Sequence, residues 1–244
     1  MSVRMKKELI EGGMQLRAAP QQFAVEAEAA LPGGLRDEVR LFYTEAQAEP
    51  AQAEAVGNRL TVSGRVNFRA LYAQGDLTRV RCAEGSGDFS RVLTITPGEG
   101  SAAYTPHCEI TSATARVFNG RLLLRAEMNV TAQADAARQV NAVTQVEEDG
   151  AQVLSQTLEL QQCVGGGESS GLIRGEFELA PALQVEEALL AGADARVEDI
   201  IGGADGRATV TGTIDLTVCH ASRMPGRPLV YTQHSMPFEQ TVTL

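Results

Sequence analysis

One phrase recurs three times along the chain. It reads GNRLTVSGRVNFRALY at 57–72, NGRLLLRAEMNVTAQA at 119–134 and DGRATVTGTIDLTVCH at 205–220. Each copy opens on a turn pair, Gly57-Asn58, Asn119-Gly120 or Asp205-Gly206, of the residue types that tolerate positive φ and suit tight hairpins. An arginine follows each turn: Arg59, Arg121 and Arg207. Alternation with period two comes next. In the first copy Leu60, Val62, Val66, Phe68, Ala70 and Tyr72 fall on one side, with Thr61, Ser63, Arg65, Asn67 and Arg69 on the other. In the second, Leu122, Leu124, Met128 and Val130 alternate with Arg125, Glu127, Asn129 and Thr131. In the third, Val210, Ile214, Leu216 and Val218 alternate with Thr209, Thr211, Thr213, Asp215 and Thr217. Successive side chains on a strand point to opposite faces, so each copy predicts a long half-buried strand; helical spacing would scatter these residues around the axis. Gly64, Ala126 and Gly212 share one inward position, which predicts a bulge or a close backbone crossing there.

The echo extends beyond the phrase. A further strand candidate follows each copy: FSRVLTI at 89–95, LSQTLEL at 154–160 and FEQTVTL at 238–244. Others precede the turns: EVRLFY from 38, 114–117, and ARVED from 195. FAVEAEAALP from 23 and FELAPALQV from 177 match more loosely. PGEG at 97–100 and GGGESSG at 165–171 read as linkers. The segments EPAQAEA from 49 and VEEALLAG from 185 each suggest a turn or two of helix.

These patterns predict an all-β chain of three tandem β-sandwich-like modules with little helix. The first, with an N-terminal extension, spans residues 1–99, a divergent middle module 100–170 and the third 171–244. A module of this size buries only about 60% of its unfolded surface and is marginal alone, so the modules are expected to dock on one another. Long strands also leave open edges, which recruit further strands unless covered.

Composition narrows the function classes. Among 244 residues, acidic side chains outnumber basic ones by 31 to 21, giving a formal charge of −10. The basic residues are scattered, which argues against neutralising nucleic-acid phosphates or an anionic membrane surface. The opening MSVRMKKELIEGG lacks the apolar stretch of a secretory signal, and no apolar run approaches the ~20 residues of a membrane helix. Synthesis in a cytoplasm is therefore expected. Cys82, Cys108, Cys163 and Cys219 are widely spaced and are expected to be free thiols in a reducing compartment. An oxidising one would allow three pairings among them, between modules or subunits. By strand phase Cys219 points away from its own module's core, which makes it the favoured contact residue.

No constellation for catalysis stands out. His107-Cys108 and Cys219-His220 suggest zinc, yet neighbours on a strand diverge and no C-x-x-C or H-x-x-x-H spacing occurs. Ser235 beside His234 has no nucleophile elbow around it. GGGESSG lacks the Lys-Ser/Thr of a phosphate-binding loop. Asn129-Val130-Thr131 is a formal glycosylation sequon inside a predicted strand. Glu147-Glu148-Asp149 and Glu186-Glu187 read as solvated charge. The three repeated arginines read as strand-end stabilisers rather than an anion-binding ring. No catalytic residue, metal or cofactor is expected.

RLTVSGRVNFRALY, FNGRLLLRAEMNV and PLVYTQHSMPFEQTVTL, in that order, resemble the sporulation and coat-morphogenesis (SPOCS) domain of spore-forming Firmicutes. The resemblance runs from about Lys6 to Leu244. It implies a non-enzymatic assembly protein of the spore envelope, made in the mother-cell cytoplasm and deposited on the spore. Proteins of this family usually continue into a LysM module, which is absent here. The expected partner is the chain itself, in a layer or fibre built through strand edges. The alternatives are an adaptor binding another coat-morphogenesis protein and a glycan- or ligand-binding β domain. The last is disfavoured by the lack of any Trp.

Overall fold

Each repeated phrase becomes the central strand of its own antiparallel sheet. The computed structural model describes residues 4–31, 39–49, 52–74, 79–95, 103–147, 154, 156, 166–203 and 205–243. In chain order the strands are β1 (Arg4–Ala30), β2 (Val39–Ala48), β3 (Gln52–Val56), β4 (Arg59–Gln74), β5 (Val80–Thr94), β6 (Thr105–Phe118), β7 (Arg121–Glu147), β8 (Val185–Gly202), β9 (Arg207–Ser222) and β10 (Leu229–Thr243). A 3-10 turn at Pro181–Leu183 is the one helical element among the described residues. The fold is all-β, as the alternation predicts. The helical turns expected at EPAQAEA and VEEALLAG do not form where they are described. Gln52–Val56 is β3, and Val185 opens β8. Tertiary pairing with β4 and β9 overrides the local helix preference of Ala and Glu.

The sheets share a plan. Central strand β4 has β2 and β3 end to end along one edge and β5 along the other. Central strand β9 has β8 and β10. Central strand β7 has its hairpin partner β6 on one edge, but the N-terminal β1 on the other. Sequence order places β1 with residues 1–99, yet its hydrogen bonds run to the middle sheet. The strand expected there, LSQTLEL at 154–160, lies outside the described residues apart from Leu154 and Gln156. The turns behave as their residues dictate: Asn119 and Gly120 both take positive φ, 49° and 75°, as a type I′ hairpin requires.

The first two sheets pack face to face into one sandwich. Leu60, Val62, Val66 and Phe68 from β4 meet Leu122, Leu124, Met128 and Val130 from β7, all essentially inaccessible to solvent. β1 lies above β5 on the inner side, and two glycines of β5 admit it. A Cβ on Gly87 would stand 2.7 Å from the Glu26 carbonyl oxygen, and one on Gly85 2.8 Å from Leu124 Cδ1. Strand prolines stand on edge strands, where a missing N–H costs no ladder bond: Pro20 at the β1 bulge, Pro106 on β6 and Pro237 on β10.

The third sheet docks differently. Its outer face, through Leu190 and Cys219, meets the outer face of the first sheet at Leu71, Ala73 and Val80. Its inner face, the one equivalent to the sandwich core, meets no other sheet among the described residues. An extended strap, residues 166–180, crosses part of it.

Candidate interaction surfaces

The sequence-selected cysteines fall in two places. Cys108 packs on the sandwich core from β6, while Cys82 and Cys219 belong to the junction between the first and third sheets. Cys219 is buried, and Tyr231 stands directly across the β9–β10 ladder from it. All three thiols are free. Burial raises each of them, so the reactive thiolate is scarce at neutral pH. Cys163 lies outside the described residues.

Arg59, Arg121 and Arg207 each open the central strand of a different sheet, and all three are exposed. Arg121 clamps β1 through Glu28, 2.7 Å away. The outer faces of the central strands repeat the device. Arg125 meets Glu26 and Glu127 at 3.0 and 2.6 Å, Arg65 meets Asp88 at 2.8 Å, and Arg196 meets Asp215 at 3.0 Å. Pairs this exposed add little to stability; Arg125–Glu127 lies within β7, and the others tie neighbouring strands in register.

His107 is exposed on β6 and His220 is buried on β9, so the two His/Cys pairs do not share a site. Among the described residues no cluster of three or more His, Cys, Asp or Glu is placed to hold a metal ion. His220 Nε2 bonds Thr232 Oγ1 at 2.9 Å, and its Nδ1 is buried without a partner. Burial, then the neighbouring His234, depresses its pKa. Protonation is therefore disfavoured in the folded chain, and the unfolded chain takes up the proton first, near pH 6.5. Stability of the third sheet should hold above that pH and fall as pH drops below it. His220→Gln should flatten the fall, read from melting temperatures between pH 7.5 and 5; an unchanged slope would show that His220 is not the group responsible.

A cavity of about 740 Å³ lies at the end of the β1–β7–β6 sheet, lined by Glu26, Glu28, Thr114, Arg116, Leu124 and Arg125 among others. Its carboxylates are taken up in the ion pairs with Arg121 and Arg125. The Thr114 hydroxyl donates to the Arg125 carbonyl at 3.4 Å.

What the molecule presents instead is edge and face. Beyond Gln133, where β6 ends its pairing, β7 and the first half of β1 continue as a ribbon that pairs with no further strand among the described residues. Met5 and Leu9 are more than half exposed on it. From Ala191 to Gly202, β8 is exposed along its whole length, Val197 by 52% and Ile200 by 63%. The phrase-based analysis located the strands but missed this bare face. Its sequence signal is the apolar cluster Val197, Ile200, Ile201 on a strand without a covering sheet in sequence.

Compared with known protein families, the chain matches none. Neither the curated proteins nor the solved structures give a match. Among the described residues no helix is long and apolar enough to cross a membrane.

Proposed function

We propose that the chain is a non-enzymatic structural protein of a bacterial spore envelope that assembles with copies of itself through strand edges into a layer or fibre. The observation that carries the self-assembly is the long outer edge of β8, which pairs with no strand other than β9 among the described residues and is exposed from Ala191 to Gly202. A sheet edge of this length templates pairing with another chain through the row of backbone N–H and C=O groups it offers. The spore envelope comes from the resemblance of RLTVSGRVNFRALY, FNGRLLLRAEMNV and PLVYTQHSMPFEQTVTL to the SPOCS domain.

Two measurements test the two halves. Electron microscopy of the purified protein should show regular layers or fibres, and monodisperse monomers in both oxidising and reducing buffer would overturn the assembly. A fluorescent fusion in a sporulating host should ring the forespore, whereas signal spread evenly through the mother cell would overturn the location.

A further inference from the structure

The first and third modules place one segment in the same position. In the sandwich, β1 runs antiparallel over the inner side of β5, with Glu26 by Gly87 and Glu28 by Gly85. In the third module the strap runs antiparallel over the inner side of β10. Gly167 lies by Thr243, Gly171 by Gln240, Gly175 by Met236, and Phe177 stacks on His234 at 4.0 Å. The small residues have changed sides, from β5 to the strap, so close approach is kept.

The difference lies at the free side of the segment. β1 is hydrogen-bonded to β7, and β7 with β6 completes the cover over the first sheet. The strap makes no backbone hydrogen bond to a strand among the described residues. Past it, no described residue covers the inner face over β9 and β8. That face is built like a core. From Ala191 to Gly202 on β8, Ala208 to Val218 on β9 and Thr232 to Val242 on β10, its positions carry no Asp, Glu, Lys or Arg. The opposite face over the same span holds Asp194, Arg196, Asp199, Asp215 and Glu239. Yet Ile214 and Leu216 are only half-buried, where their counterparts Val66 and Phe68 are sealed. A cavity of about 860 Å³ separates the strap from Ala193, Ile214, Leu216 and Met236, so the strap is not a close-packed lid.

The geometry points to a second copy of this chain as the missing cover. Resting on the self-assembly reading above, it identifies the pairing: two third modules close face to face about a two-fold axis parallel to their strands. Each strap then adds to the outer edge of the other copy's β8. With the strap above β10, the partner's β8 falls above β9 and the partner's β9 above β8. Two four-stranded sheets result, each a strap followed by the other copy's β8, β9 and β10. The directions agree: the strap opposes β10, β8 runs with β10, and a parallel two-fold preserves direction, so strap and partner β8 are antiparallel. As in the sandwich of the first two modules, one apolar inner face closes another and the crossing segment extends the opposite sheet; there β1 joins the central strand β7, whereas here the strap joins the flanking strand β8. Three strands some twelve residues long present roughly 600 Å² in projection, and side-chain relief brings that toward the ~800 Å² per partner of a stable interface.

The test is sedimentation of the full chain across a concentration series, with hydrogen exchange on the same samples. The wild type should dimerise, and slow amide exchange should appear in both the strap and the outer edge of β8 as it does. Val197→Lys with Ile200→Lys places two charges on the bare face at positions already exposed, so the fold survives, as circular dichroism can verify. Dimerisation should weaken by about a hundredfold or more. The wild-type dimer should tighten with added salt, since the chain's charge is −10. A wild type that stays monomeric at high concentration overturns the inference, as does a dimer indifferent to the two lysines. If the lysine variant still forms layers or fibres like the wild type, this pairing is wrong while assembly through other edges stands. A face-to-face dimer that the lysines break, but that grows no further, upholds the pairing and removes the layer or fibre.

Discussion

Deleting residues 4–31 will unfold the sandwich rather than trim it. β1 looks dispensable in sequence, as an extension preceding the first repeated phrase. In the structure it pairs with β7 from end to end and places Leu16, Ala18, Val25, Ala29 and Leu31 in the core. Burying each Val or Leu side chain contributes about 1.5–3 kcal/mol, so the apolar loss alone approaches the 5–15 kcal/mol that typically holds a domain together. The deletion also strips β7 of one hydrogen-bonded edge above a sealed core. Loss of a cooperative melt by circular dichroism should follow. A synthetic peptide of residues 4–31 added in trans should restore it, because the strand is needed for its contacts and not for its covalent position. A truncated chain that melts as the full one does would show that another strand fills the place.

Phe68→Ala will cost about 3–5 kcal/mol, and Leu216→Ala about 1–2 kcal/mol in dilute monomer. The repeated phrase gives these residues comparable places: inward on a central strand, beyond the small residue. What differs is the cover. Phe68 is 1% exposed beneath the β7 sheet, whereas Leu216 is half-buried beside a loosely seated strap. A truncation leaves a cavity only where neighbours surround the side chain and cannot collapse. Urea melts of the two variants at low concentration decide the matter. Equal costs would mean that the third sheet is covered in solution as fully as the first.

The repeated phrase made much of this legible in advance. Strand identity, facing and the hairpin turns follow from local chemistry. Alternation assigns each side chain to a face, and Asn119-Gly120 takes the positive φ that its residues tolerate. The shared small position was also readable, and its reason is visible at Gly212, where a Cβ would collide with the Arg196 carbonyl oxygen and stand 2.8 Å from the Phe238 ring. VEEALLAG misled because Ala, Leu and Glu favour a helix locally, while pairing along β9 is worth more than that preference.

The sequence by itself determined that the chain alternates, turns and alternates again, and therefore that it builds sheets with one apolar face each. Those are properties of neighbours a few residues apart. Only the tertiary structure decided which sheet covers which face: that β1 crosses to β7, that the first two sheets seal each other, that Cys219, which strand phase already turned away from its own core, meets the first sheet, and that no other sheet among the described residues covers the third inner face. The physical reason is that an apolar face specifies burial but not the surface that buries it; the hydrophobic effect has no direction, and the partner is chosen by the packing of the whole chain.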